Sequence, residues 1–179
     1  MACLQKLSAD VLWGCHSGGT QGSTLGAYEE MLFINASDIA SFSASNTTGV
    51  TLDLNKGTRG YIINCVNRSI KVSVGKKGGD FYPVMYDPSI IIKVPSQLFS
   101  IPSGSASKLI NSTGVIALKG SNGYTIIGLG APLVCTEIEG DSTSSEFLTV
   151  TFGMDEGQTG STIYGISKAT YEALKVLAD

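Results

Sequence analysis

From Tyr28 onward the chain is a succession of short β-strand signals separated by Gly, Asn, Asp and Ser turns, and only its last stretch breaks the series. The sharpest unit is Val115-Ile116-Ala117-Leu118-Lys119, then Gly120-Ser121-Asn122-Gly123, then Tyr124-Thr125-Ile126-Ile127-Gly128-Leu129. Asn-Gly tolerates positive φ at both central positions of a primed turn, whose twist matches that of two antiparallel strands, so this unit reads as a hairpin. A chain built of hairpins, with no recognisable catalytic set hung on them, points first to a structural or binding protein.

Further strand signals run from Glu30 to Asn35, Ile39 to Ala44, Val50 to Leu54, Tyr61 to Val66 and Ile70 to Val74. In Val50-Thr51-Leu52-Asp53-Leu54 the apolar residues recur at period two, which gives one buried and one polar face; in the Ile70 segment Lys71 and Ser73 face outward. Lys76 to Asp80 reads as a turn or loop, followed by strands at Phe81 to Tyr86 and Ile90 to Val94, and later at Val134 to Ile138 and Phe147 to Phe152. Between residues 96 and 112 Ser103 can cap a short helix through Lys108-Leu109-Ile110, with Pro102 and Gly104 limiting its length. The chain closes with a helix from Lys168 to Leu177 capped by Ser167. Tyr171, Leu174 and Leu177 or Ala178 share its docking face.

Residues 1–27 combine a short apolar start with a Gly, Ser and Thr stretch from Ser17 to Gly26 and read as a flexible N-terminal arm. The sequence thus predicts a mainly β protein: one antiparallel β-barrel or β-sandwich domain over residues 28–179, with a short flanking helix and a C-terminal helix. At 179 residues and 42% hydrophobic content the chain can bury a real core, and no Pro-rich or charge-rich linker divides it.

Charged residues make up only 15%, so hydroxyls and amides supply most of the surface polarity, as suits packing against copies of itself. Net charge is −3 and the 12 Lys and Arg are scattered, which leaves no electrostatic footprint for gripping a phosphate backbone. Gln5, Lys6, Ser8 and Asp10 interrupt the apolar start, so it lacks the run of about 7–15 apolar residues of a secretory signal, although Leu12-Trp13-Gly14-Cys15 faintly resembles a lipoprotein site. No stretch approaches the roughly 18 apolar residues of a membrane helix, and a soluble, cytoplasmically made chain is expected.

Chemistry-bearing residues are sparse. The four cysteines, Cys3, Cys15, Cys65 and Cys135, form no CxxC pair; Cys3, Cys15 and His16 make poor chelate geometry, and Cys65 and Cys135 read as small buried hydrophobes. His16 is the single histidine and carries no catalytic motif. Gly140-Asp141-Ser142 resembles an esterase nucleophile triplet whose partner histidine near the C-terminus does not exist here. Neither a P-loop nor a dinucleotide fingerprint occurs. Glu137, Glu139 and Asp141 share one side of an extended strand and read as a solvated face or a guard against edge pairing rather than a cation site. No catalytic, metal-binding or cofactor-binding residue is assigned, and no cofactor or enzymatic activity is expected.

The order of segments carries a resemblance. Leu32-Phe33-Ile34-Asn35 precedes Asp38-Ile39, and Val50 to Leu54 leads into Gly60-Tyr61-Ile62-Ile63. Val115-Ile116-Ala117-Leu118 and Gly123-Tyr124-Thr125-Ile126-Ile127-Gly128 come before Ala131-Pro132-Leu133, and Phe147-Leu148-Thr149-Val150-Thr151-Phe152 lies near the end. In this order, over residues 28–166, the chain resembles tail tube (major tail) proteins of bacteriophages, particularly those of Bacteroides-like hosts. The resemblance implies a virion tail protein, assembled in the host cytoplasm into stacked hexameric rings. These would line a channel for DNA, with itself and other tail proteins as partners, DNA as non-specifically transported cargo and no membrane. Candidate assembly contacts are Ser17, Gly22 and Gly26 in the arm and Lys76, Lys77, Gly79 and Asp80 in the loop, where glycine flexibility is combined with polar groups. The contrasting reading is a β-sandwich binding or adhesive module. Aromatics are only 8% of the chain, with Trp13 the single tryptophan, and most Tyr and Phe sit inside strand signals where burial accounts for them.

Overall fold

The computed structural model describes residues 7, 10, 28–45, 49–63, 65, 69–77, 85–96, 108–110, 112–121, 123–140, 147–155 and 162–178. Among the described residues eleven strands and one α-helix are formed: β1 Tyr28–Asn35, β2 Ile39–Ser45, β3 Gly49–Leu54, β4 Tyr61–Ile63, β5 Lys71–Lys77, β6 Met85–Pro95, β7 Thr113–Gly120, β8 Gly123–Leu129, β9 Leu133–Gly140, β10 Phe147–Met154, β11 Thr162–Ile166 and α1 Lys168–Ala173. All strand pairs are antiparallel. A nine-stranded sheet runs β11-β8-β7-β9-β10-β6-β5, with β1 joined to β7 and β4 to β1, while β2 and β3 form a separate hairpin.

The apolar runs Met31-Leu32-Phe33-Ile34, Val115-Ile116-Ala117-Leu118 and Ile126-Ile127 are buried at every position, because β1, β7 and β8 form a middle layer. Alternate residues point to opposite faces of a strand, so each run feeds two cores. Met31, Phe33, Ile116, Leu118 and Ile127 pack with Ile90, Ile92, Val150 and Phe152 of β6 and β10. Leu32, Ile34, Val115, Ala117 and Ile126 pack with Val50, Tyr171 and Leu174, and the half-buried Leu52 and Leu54 complete that side. The result is a layered β-sandwich. The sheet does not close, so the barrel alternative is set aside.

The corner between layers lies where β7 and β9 pair through only Thr113–Val134 and Gly114–Leu133. Gly114 also pairs with Asn35 of β1, and a Cβ there would lie 2.5 Å from both Ile34 O and the Phe33 ring. Gly128, at φ +101°, lies against Gly114 and Leu133 where β8 leaves the middle layer. Only glycine allows this close crossing with that backbone conformation.

Several boundaries differ from expectation. Gly120 pairs with Gly123, so Gly123, at φ +148°, belongs to the β8 ladder instead of occupying a central turn position. Lys76 and Lys77 are not in a loop: they continue β5, paired with Tyr86 and Met85. β6 runs unbroken from Met85 to Pro95, through residue 88 where a break between two strands is expected; residues 81–84 of the first expected strand lie outside the described residues. Pro88 is tolerated because it pairs with Val74 on one side, while β10 reaches β6 only from Ile90 onward, leaving the other side without a ladder to disrupt. The flanking helix is reduced, among the described residues, to one 3₁₀ turn at Lys108–Ile110. β11 has no counterpart in the sequence reading.

The C-terminal helix is present and capped as expected, Thr170 N–H donating to Ser167 Oγ at 3.0 Å. It ends at Ala173, and the chain then turns back: Gly60 N–H donates to Leu174 O (2.7 Å), and residues Gly57 and Thr58 exchange backbone bonds with Ala178 (2.8 and 2.9 Å). Tyr171 and Leu174 are therefore buried while Leu177 is 59% exposed, and the third docking residue is the half-buried Ala178.

Candidate functional site

Two features stand out: a socket that holds the N-terminal segment, and the uncovered edge of β5. The socket is built at the end of β1, where Asn35 and Asp38 are buried polar residues and Leu7 is fully enclosed in the larger core. Leu7 N–H donates to Asn35 Oδ1 (2.8 Å), and Asn35 Nδ2 donates to both Leu7 O (3.0 Å) and Asp38 Oδ2 (2.8 Å). A side-chain amide thus presents to Leu7 the donor and acceptor that a neighbouring strand would otherwise supply. Buried polar groups must be paired, and here the pairing is reciprocal.

A second fastening lies at Asp10. Ile62 N–H of β4 donates to Asp10 Oδ1 and the Arg59 guanidinium to Oδ2, each at 2.8 Å, while Arg59 stacks over Tyr61 with its guanidinium carbon 5.3 Å from the ring centroid. The expected flexible arm over 1–27 is thus tied to the domain at these two residues. Sequence reasoning missed Leu7, Asp10, Asn35, Asp38 and Arg59 as a group. Its available signal was the pair Asn35 and Asp38, amide and acid, directly following four apolar residues of β1 that leave no exposed face.

Among the described residues β5 pairs only with β6, so its other edge carries backbone donors and acceptors without a partner strand. Lys71, Ser73, Val74 and Gly75 are exposed on it, Val74 at 45%. Of the sequence-derived contact candidates, Lys76 and Lys77 lie at the end of this edge. Ser17, Gly22, Gly26, Gly79 and Asp80 fall outside the described residues.

On the opposite side of the molecule's middle layer, β1 and α1 are clamped together. The Tyr171 hydroxyl donates to Glu30 Oε1 (3.0 Å), Lys175 Nζ lies 2.6 Å from the same oxygen and 3.2 Å from Glu172, and the Tyr171 and Tyr124 rings are 4.9 Å apart. Burial and the Glu30 carboxylate push the Tyr171 phenol well above its ordinary value, so it stays protonated and remains a donor. A shallow apolar groove of about 470 Å³ runs between β2 and the β8–β9 turn, lined by Ile39, Phe42, Val115, Leu129 and Pro132. The one side-chain hydroxyl in its lining, Ser41, donates to Asp53 at 2.9 Å.

Burial raises the Cys65 thiol to about 12 and the Cys135 thiol to about 11, both packed against the larger core, so neither is a nucleophile at neutral pH. Glu137 and Glu139 are exposed on β9, and no three potential metal ligands gather among the described residues. Asp141, Ser142, His16, Cys3 and Cys15 lie outside them. Among the described residues no helix is long and apolar enough to cross a membrane. No family model, curated protein or solved structure matches the chain.

Proposed function

We propose that this protein is a structural subunit that self-assembles, in the manner of phage tail tube proteins, into stacked rings forming a conduit for DNA. The observation that supports this most is that, among the described residues, β5 pairs only with β6 and leaves its other edge without a strand. An unprotected edge is a liability in a free monomer, and a heterologous contact that closes into a ring removes it at every subunit. Lysines occupy both ends of this strand, at 71, 76 and 77, which discourages indiscriminate pairing, while Val72 to Gly75 between them is uncharged. The small net negative charge suits a channel wall that DNA must pass without being held. A ring of six, the tail setting and other tail proteins as partners are what the resemblance to tail tube proteins implies.

Concentration-dependent light scattering tests the contact. The wild-type chain is expected to shift to large species as concentration rises, whereas Val74→Lys, at a half-exposed edge position, leaves the melting temperature unchanged and the protein monomeric. Equal association of both proteins contradicts the use of this edge. The proposal also excludes hydrolase activity: His16→Ala leaves fold and assembly intact, and a large functional loss in a folded His16→Ala protein would reopen an enzymatic reading.

A further inference from the structure

β5 is not the only strand of its sheet with a bare edge. β9 meets β7 through Leu133 and Val134 alone, so from Cys135 to Gly140 it pairs, among the described residues, only with β10. The four strands β9-β10-β6-β5 therefore end on one side at this half of β9 and on the other at β5. The two ends carry opposite charge. Lys71, Lys76 and Lys77 lie on β5, whereas Glu137 and Glu139 lie on β9, which has no basic residue. Lys71, Glu137 and Glu139 are exposed and form no ion pair among the described residues. They also share a face. Lys71 stands opposite Ile91, Ile91 opposite Thr151 and Thr151 opposite Glu137, one row across all four strands, and directly paired residues project to the same side of a sheet.

We infer that β5 of one copy pairs, antiparallel, with residues 135–140 of β9 in the next, so that Lys71 meets Glu137 and the two sheets join. This rests on the self-assembly reading above and assigns the surface that receives β5. Strand direction alternates across β9, β10, β6 and β5, so a neighbour in the same orientation presents a β9 running opposite to β5. Set beside it without displacement along the strands, that neighbour brings its Glu137 to the height of Lys71, at the end of the same row. Pairing of like edges is disfavoured. β5 against a second β5, centred on Val74, sets Lys71 opposite Lys77, and β9 against a second β9, centred on Ile138, sets Glu137 opposite Glu139. Like charges directly opposite destabilise a ladder. Of the other strands of this sheet with a single neighbour, β4 has three residues and β11 has no charged one. A β5-to-β9 contact uses a different patch on each partner, so it is heterologous and repeats from copy to copy until a ring closes.

The wild-type chain, assembled at high concentration and treated with a carbodiimide, tests the pairing. The reagent condenses the Lys71 amine with a touching carboxylate into an amide and takes up the water lost, becoming a urea. Within one copy Lys71 and Glu137 are three strand spacings apart, about 14 Å between backbones, farther than their two side chains reach together. An amide joining them therefore forms only between copies. Mass spectrometry is expected to find that link in the assembled fraction, and assembled material without it overturns the inference. Charge exchange gives a second measurement. Lys71→Glu and Glu137→Lys both lie outside the two cores and should leave the melting temperature unchanged. Each should raise the concentration at half-association about fivefold, and the double variant should bring it back toward the wild-type value. A double variant that associates no better than the single ones also overturns the inference. Electron microscopy of the same samples separates the two readings: rings without the link reject this pairing alone, and monomers throughout reject self-assembly with it.

Discussion

At the residue scale, stability concentrates at a few side chains whose partners come from far along the chain. Leu7 is one: it lies 28 positions from Asn35 yet is fully buried beside it. Leu7→Ala should lower unfolding free energy by about 2–5 kcal/mol, as for other enclosed leucines, and Asn35→Ala by about 1–3 kcal/mol for each Leu7 backbone group left unpaired. Urea denaturation of both variants checks this, and unchanged midpoints would show that the segment is not part of the core. The titratable residues make a second prediction. The folded thiols of Cys65 and Cys135 are held at about 12 and about 11 against an ordinary 9.0. The Lys175 ammonium is also raised: partial burial opposes its charge, but Glu30 and Glu172 outweigh that. Every one of these shifts is upward, so the associated stability is complete below the unfolded-state values and is lost as pH climbs through the folded ones. The melting temperature should fall progressively from about pH 9 upward, and Cys65→Ala should reduce the slope between pH 9 and 12. A melting temperature that stays flat to pH 11 would contradict the burial of these groups.

At the scale of elements, the strands that were legible are those whose pattern survives in one short window. β3 shows period two because one face meets the core and the other meets solvent, and its burial alternates accordingly. β1 and β7 were legible as apolar runs, although periodicity cannot say that such a run is buried on both faces; that follows from the hairpin and helix packed behind them. What escaped has identifiable causes. β11 is five residues long with Gly165 inside it, and is secured by pairing to β8, a tertiary contact invisible in its own sequence. β6 reads as two strands because Pro88 ordinarily ends one, yet at that point the strand has a ladder on a single side. The helix was legible from Ser167 and its apolar spacing, but its early end was not, since the turn after Ala173 is fixed by backbone bonds to Gly57, Thr58 and Gly60. The corner glycine offers a sharp test at this scale. Gly114→Ala places a methyl group where the Ile34 carbonyl and Phe33 ring already lie, so it should destabilise by about 1–3 kcal/mol or more as an overpacked site, read from thermal unfolding. Gly165→Ala, where an added Cβ meets nothing within 4 Å, should be nearly neutral.

At the scale of the whole molecule, the sandwich has two cores on either side of its middle layer, and several strands, β5 and β11 among them, pair on one side only among the described residues. The hairpin β2–β3 and α1 shield the smaller core, and the Tyr171, Glu30 and Lys175 clamp fixes the helix to β1. The larger core is closed by β6, β9 and β10, and sealed at one end by Leu7. Glycine flexibility as a guide to assembly contacts selects loop tips and passes over a buried amide or a strand edge; Lys76 and Lys77, read as loop residues, are strand residues because they pair with Tyr86 and Met85 of β6. The fold class was readable because alternation and turn chemistry are local. The socket was not, because it exists only when residues 7 and 35 meet. The central claim, self-assembly, is tested most directly by negative-stain electron microscopy of the purified full-length chain at high concentration. The account predicts rings of uniform diameter that stack into tubes; a field of single particles of monomer size, with light scattering that gives a monomer mass at the same concentration, would contradict it.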